Sequence, residues 1–349
     1  MISVGKILEK FSTSKPKGEA LFLNWHQTGV LLAKTEGFEA PVKINEIISV
    51  VTLDHTRNPL TVFGDLRPNQ KGFSDAYVGI CNAAFVHAVH EVEPLVKAKA
   101  PDYFQGIVKE LFAKENENIF YHVLNVGDGK PYSPENVSEN RFFITGIKTN
   151  DLTELQRTVI DQNFYPRRIE CTTLSTIGLL KKMAQKQGLE TPIVLLEMYL
   201  KESLLVILPP QGKPLFRVIQ SGELGMCERV RDEFSLKDIP SSRKLLHSNT
   251  IDLSDIGRML INPIFKEIAA IIGLFEVETG QSVGKLYISN QPPNHRWISE
   301  LMARDLGVEL YEINHREALE ELQVQVVENQ RWDENDTRFL SLFAMMGVL

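Results

Sequence analysis

The sequence predicts an α/β protein built from two similar lobes, and three observations predict it. A three-strand antiparallel pattern occurs twice, helix-like segments follow each copy, and a block of different character interrupts the first half. The first pattern runs ALFLNW, VLLAK, a turn at Gly37 and PVKINEIISV. The second runs PIVLLEM, SLLVILPP, a hairpin at Gln211-Gly212-Lys213 and PLFRVIQSG, ahead of a helix starting near Glu223. Short apolar runs punctuated by turn residues read as strands. Asn24 lies six residues before VLLAK and Glu197 seven before LLVIL, so the two passages align as an internal repeat. Two such lobes facing one another leave a crevice, a frequent ligand site.

The remaining elements follow in order. Val4, Ile7, Leu8 and Phe11 stripe one face of a short amphipathic helix, followed by Lys15 and Lys17. That helix either docks on its own domain or makes peripheral contact with a membrane or partner. Ala83 to Phe143 reads as a small β-α-β-β insert: FVHAVHEVE, a helix from Tyr103 to Phe112, NIFYHVLNV, a Gly-Asp-Gly turn and RFFITGI. Asp151 and Glu154 form a capping pair, so a helix begins at Asp151 and ends before Pro166. RRIECTT is a strand, and a helix through Ile177, Leu180 and Met183 closes at Gly188. Ile256, Leu260, Ile264, Ile268 and Phe275 stripe a long helix that Pro263 kinks or divides. KLYIS, the helix HRWISELMARDLG and VELYEI form a strand, helix, strand unit. Glu328 to Asp336 reads as a surface connection and RFLSLFAMMGVL as a final apolar helix packing on the body. The expected division is residues 1–82 and 144–188 for lobe I, 83–143 for the insert, 189–330 for lobe II, and 331–349 for a helix returning to lobe I.

Composition narrows the function. Thirty-eight basic and 45 acidic residues give a net charge of −7, and no segment concentrates Lys and Arg, which argues against a nucleic-acid partner. Cys81, Cys171 and Cys227 are odd in number and widely spaced, suggesting neither a disulfide framework nor a zinc module. No apolar run approaches the roughly 20 residues that span a bilayer, and the start lacks the features of a signal peptide. A cytoplasmic protein is expected. His87 and His90, with Cys81 nearby, suggest a metal, but H-x2-H on a strand points the rings to opposite faces. Ser221-Gly222-Glu223 with Gly225 reads either as an anion site at a helix N-terminus or as a tight turn with capping. G-x-S-x-G, a Walker loop and H-E-x-x-H do not occur.

This order of elements resembles the actin-like ATPase superfold, a bilobal RNase H-like (ASKHA) architecture, in its FtsA/PilM branch. It is most similar to the PilM family of type IV pilus assembly. The resemblance is carried by ITGIKTNDLTELQRTVIDQNFYPRRIECTTLSTIGLL, by LYIS with its following helix and VELYEIN, and by FLSLFAMMGVL. It covers nearly the whole chain and implies a small SHS2-like insert where the β-α-β-β block lies. Members that hold ATP carry Asp-Ile-Gly after each lobe's first strand and Gly-Gly after the later strand that meets adenosine. There the carboxylate positions a metal's water, and glycine lets amides approach phosphate. Here the first turn is Asn24-Trp25-His26, the second Glu197-Met198-Tyr199, and the third Asn290-Gln291-Pro292 after Ser289. Asn24 brings no charge, His26 and Tyr199 occupy the phosphate's place, and Pro292 and Pro293 remove amide donors. The expectation is a pseudo-ATPase without a cofactor.

The resemblance further implies a scaffold on the cytoplasmic face of the inner membrane. It would hold the tail of a PilN-like single-span protein between the first lobe and the insert, and meet other pilus or secretion assembly proteins. One alternative is a part similar to the cytoplasmic region of GspL in type II secretion. The other is an actin-fold ATPase or kinase with unusual phosphate loops, which would need ATP and magnesium at Glu197.

Overall fold

The computed structural model describes residues 20–347 except 28, 53–56, 66–71, 83, 101, 113–117, 128, 138, 249–252, 328–331 and 334. The amphipathic segment at 4–11 lies outside the described residues. The first sheet contains β1 (Ala20–His26), β2 (Gly29–Thr35), β3 (Val42–Val51), β4 (Ser74–Cys81), β8 (Phe164–Cys171) and β14 (Val324–Val326), ordered β14-β3-β2-β1-β4-β8. The second contains β9 (Ile193–Met198), β10 (Ser203–Leu208), β11 (Leu215–Ile219), β12 (Lys285–Ser289) and β13 (Glu309–Leu310), ordered β11-β10-β9-β12-β13. Without β14 the two sheets share one plan: an antiparallel meander with two parallel strands added beside its first strand. The repeat holds at the level of register. Asn24 stands opposite Leu31 and Glu197 opposite Leu204, the same offset of seven in both hairpins.

The insert is a three-stranded sheet ordered β5-β7-β6, from β5 (Phe85–Glu91), β6 (Ile119–Asn125) and β7 (Arg141–Lys148). Helix α2 (Tyr103–Phe112) covers one face, packing Phe104 and Val108 on Phe142 and Ile144. In the first lobe α1 (Pro59–Asp65) and α3 (Thr149–Asp161) cover the outer sheet face, where Leu60 and Val159 join Leu21, Leu23, Trp25 and Val78. In the second, α5 (Glu223–Glu233), α6 (Ile239–Leu246), α7 (Ser254–Thr279) and α8 (Arg296–Leu306) do the same through Met226, Leu246, Ile264 and Met302. The inner faces share a third core around α4 (Thr172–Lys186), α9 (His315–Leu322) and α10 (Thr337–Ala344), joining Phe22, Leu180, Leu195, Leu319 and Phe343. Sheets covered on both faces explain why ALFLNW and SLLVIL read as continuous apolar runs.

Several expectations need correction. α3 begins at Thr149, so Asp151 lies in its first turn, where its charge complements the helix dipole rather than capping the end. β8 begins at Phe164 and contains Pro166, which is tolerated because β8 is an edge strand. Pro263 does not divide α7, which runs unbroken for 26 residues. Burial of Leu260, Ile264 and Ile268 outweighs the loss of one helical hydrogen bond. VELYEI contributes only the two residues of β13 to the sheet. β14, expected within lobe II, joins the first sheet beside β3. Asp336 is not a surface connector: it is 3% exposed and caps α10 through the Arg338 amide. Unforeseen elements are α1, β4, α6, α9 and β14. Among the described residues no helix is long and apolar enough to cross a membrane.

Candidate functional site

Strands β1 and β9 end side by side at the crevice, and their terminal residues meet there with the loop after β12. Glu197 is 1% exposed and collects hydrogen bonds from both lobes. Thr173, at the start of α4, donates to its Oε2 at 2.5 Å, and the Tyr199 hydroxyl does so at 2.8 Å. Ser289 donates to Oε1 at 2.8 Å, and the Cys81 thiol lies 3.9 Å from Oε2. Asn290 links this cluster to the first turn: its amide donates to Cys81 Sγ at 3.2 Å and its Oδ1 accepts from Asn24 at 3.0 Å. Asn24 also reaches the Arg338 carbonyl at 3.3 Å. Asn290 takes a left-handed φ of 54°, a conformation Asn tolerates where glycine is the usual choice. The Leu200 amide donates to Gln27 Oε1 at 2.5 Å, closing the crevice further.

A second carboxylate approaches from the other side. Glu223 begins α5 and accepts from the Arg243 Nε at 2.7 Å, and its Oε1 lies 2.8 Å from His247 Nε2. The His247 ring lies against His295 with centroids 4.3 Å apart, and Gln291 donates to the His295 carbonyl at 2.9 Å. The first two amides of α5, those of Glu223 and Leu224, are already used by the Tyr199 and Leu200 carbonyls. A Cβ on Gly222 would meet the Tyr199 carbonyl at 2.5 Å, so glycine is needed for this approach. The anion reading of this turn therefore gives way to the tight turn.

Electrostatics separate the two carboxyls. Burial pushes Glu197 up, against the opposing pull of its hydroxyl donors. Burial would also raise Glu223, but His247, Arg243 and His295 outweigh it and hold the carboxyl well below its usual range. Burial, then Arg338, brings His26 down to about 3. Burial, then His247, brings His295 down to about 3. Both imidazoles are neutral at physiological pH.

The cavity that these groups enclose measures about 30 Å3. That is room for roughly one or two waters, against several hundred Å3 for an ordinary small-molecule pocket. His26, Glu197, Met198, Tyr199, Ser289, Asn290 and Gln291 all line it, as the three predicted turns require, and Asn24 is tied to it through Asn290. Trp25 is a correction. Strand alternation turns it away from the crevice into the outer core with Leu23 and Val30. The sequence reading missed Thr173, Arg243, His247 and His295. It placed Cys81 and Glu223 in other roles, since only tertiary packing brings them here. His87 and His90 do diverge: His87 lies over Phe143 and Phe216, whereas His90 meets the Tyr103 hydroxyl at 3.2 Å. Among the described residues no group of His, Cys, Asp and Glu is arranged to hold a metal ion.

A larger groove of about 510 Å3 lies between the insert and α4. Leu124, Phe143, Ile177 and Phe216 form its apolar lining, with Lys181 and Lys182 along α4. Beside it β6 is the sheet's outer strand, and Phe120, on the same face as Leu124, is 49% exposed.

Two sheets of one plan around a shared core, with a three-stranded insert in the first lobe, define an actin-like fold. No family model and no curated protein matches the chain. Among solved structures it is similar to the PilM-PilN type IV pilus biogenesis complex, with a TM-score of 0.69 and 14% identity over 95% of this chain and 98% of that one. The protein is PilM-like in fold. Weaker likenesses are to a Bacteroides thetaiotaomicron protein with an actin-like ATPase fold and unknown function (TM-score 0.44, 11% identity, 86% and 93% of the two chains). Another is to the cytoplasmic domain of EpsL, an inner membrane component of the type II secretion system of Vibrio cholerae (TM-score 0.35, 10% identity, 57% and 71%).

Proposed function

We propose that the protein is a non-catalytic scaffold of a type IV pilus or related secretion platform. It sits at the cytoplasmic face of the inner membrane and holds the tail of a PilN-like single-span partner. The observation that carries this reading is the apolar groove between the insert and α4, flanked by the outer strand β6. The edge of β6 is bridged by Lys130 and Tyr132 at Val123 and Asn125 and, among the described residues, pairs with no further strand at residues 119–122. An extended peptide can add to such an edge through its backbone while alternate side chains enter the groove. The full-length likeness in fold to PilM, a protein solved with PilN, supports the choice of partner.

The small cavity at the crevice supports the absence of catalysis. Paired groups with opposed pKa shifts mark acid and base in many enzymes. Here Glu197 and Glu223 instead border about 30 Å3, too little by itself for a nucleotide, beside an open cavity of about 800 Å3 that shares His247 and Pro292 with it. The test has two arms. Calorimetry with ATP and magnesium gives no heat and no change in melting temperature; saturable binding that Glu197→Gln abolishes would instead establish an actin-fold ATPase or kinase. A synthetic PilN-like tail peptide binds the intact protein, and Leu124→Glu or removal of the insert abolishes binding while circular dichroism stays native. Undiminished binding by both variants refutes the groove.

A further inference from the structure

Helix α4 holds an unpaired cation, Lys181, in the middle of the apolar surface beside the insert. The groove continues past it into a second recess of about 50 Å3 bordered by Ala184, Leu189 and Ile193, and Lys181 and Gln185 line both. The positions one turn away on α4 are Ile177, Gly178, Ala184 and Gln185, so no carboxylate stands where an ion pair along the helix would form. Among the described residues Lys181 has neither an ion pair nor a hydrogen bond, and its ammonium is open to solvent. Its neighbours differ: Lys182 donates to the Glu321 carbonyl at 3.0 Å, and Lys186 pairs with the Glu321 carboxylate at 3.3 Å.

The surroundings supply no anion to match it. Among the described residues no Asp or Glu lines the groove, although the chain as a whole carries a net charge of −7. Carboxylates just outside it are engaged. Glu139 accepts from the Gly127 amide at 3.0 Å, and Glu170 accepts from the Ser175 hydroxyl at 2.8 Å and pairs with Arg168. A carboxylate carried on an apolar segment completes the pair while its neighbours cover the wall, and the water they exclude strengthens the attraction. A free inorganic anion would leave that wall uncovered. From Leu174, which lines the groove, to Lys181 is about 10 Å along the helix, the span of about three residues of extended chain.

We propose that the groove selects an acidic tail segment: an extended peptide whose apolar side chain enters between Leu174, Phe143 and Phe216, with an Asp or Glu about two to four positions away paired with Lys181. This rests on the partner-tail reading and adds the chemistry of the tail.

Random peptides of about six residues, displayed on phage, are selected on the intact chain at low ionic strength and counter-selected on Leu124→Glu. Those that need Leu124 should carry Asp or Glu about two to four positions from Leu, Ile, Met or Phe. For the strongest of them, the analogue with an amide in place of the carboxylate should bind about 3- to 10-fold more weakly, and added salt should weaken the acidic peptide more than the amide. Lys181→Ala should make the two peptides equal, and Lys181→Arg should keep the preference. Alanine is a good helix former and the position is half-exposed, so circular dichroism of Lys181→Ala should stay native. Peptides that need Leu124 but show no acidic preference, or a preference that survives Lys181→Ala, overturn the proposal and leave the partner-tail reading standing. The absence of any peptide that needs Leu124 overturns both.

Discussion

Glu197 and Glu223 border the same small cavity, yet one is held by neutral hydroxyls and the other by cations. Both belong to the second lobe. Glu197 is bound across the crevice to Thr173 and Cys81 of the first lobe, whereas Arg243 and His247, the partners of Glu223, come from α6 and the residue after it in the same lobe. Burial acts on both carboxyls in one direction, and only the company of charge reverses it for Glu223. The first is therefore a tie between lobes and the second a fastening within one.

The contrast can be broken most severely at Arg243, which is fully buried. Arg243→Met should lower unfolding free energy by about 3–5 kcal/mol, because Glu223 is left charged without its guanidinium. Urea denaturation checks this, and adding Glu223→Gln should restore much of the loss. Glu197→Ala should lower it by about 2–3 kcal/mol by leaving three hydroxyls without an acceptor. It should also loosen the lobes relative to one another, read as faster hydrogen exchange in β9 and α4. Glu197→Gln keeps an acceptor and should stay within about 1 kcal/mol of the parent at neutral pH.

The pH dependence sharpens the same distinction. His26 and His295 have folded pKa values near 3, below their ordinary 6.5. Their contribution is complete above 6.5 and is lost as pH falls below it, by up to roughly 1.4 kcal/mol per pH unit for each. Glu223, held low, loses its contribution only as pH falls below the ordinary carboxylate range. Glu197, held high, acts in the opposite sense: its contribution is present below the ordinary carboxylate value and is lost as pH rises through its folded value. Urea midpoints against pH should thus fall in acid for the parent, and Glu197→Gln should flatten the limb above the carboxylate range. A small effect, about 1 kcal/mol, is expected for Asn24→Ala, which removes one uncharged cross-lobe donor.

The hairpins and the insert were legible because their information is local. Apolar runs and turn residues located β1, β9 and α2, and the shared offset from Asn24 to Leu31 and from Glu197 to Leu204 was visible as spacing. The turns that line the crevice were legible for the same reason. Arg243 was not, because a basic residue in a short helix reads as solvent-facing until α5 is packed against α6. Trp25 misled because three consecutive residues of a strand cannot all face one side. β14 is fixed by β3, far away in sequence, and Asp336 by a local cap with Arg338 whose burial depends on the packing of α10, and neither short stretch carries a periodic signal.

The contact between Asn24 and the Arg338 carbonyl spans 314 positions of the chain. Helix α10 also fills the core under β1 and β2, with Phe343 fully buried beside Phe22 and Leu31. The earliest described strand is therefore completed by the latest helix. Contacts so far apart slow folding, since a long loop must close before they are rewarded. During synthesis the inner face of the first sheet is only partly covered, by α4 and α9, until α10 has left the ribosome, an interval in which the nascent chain needs protection from aggregation.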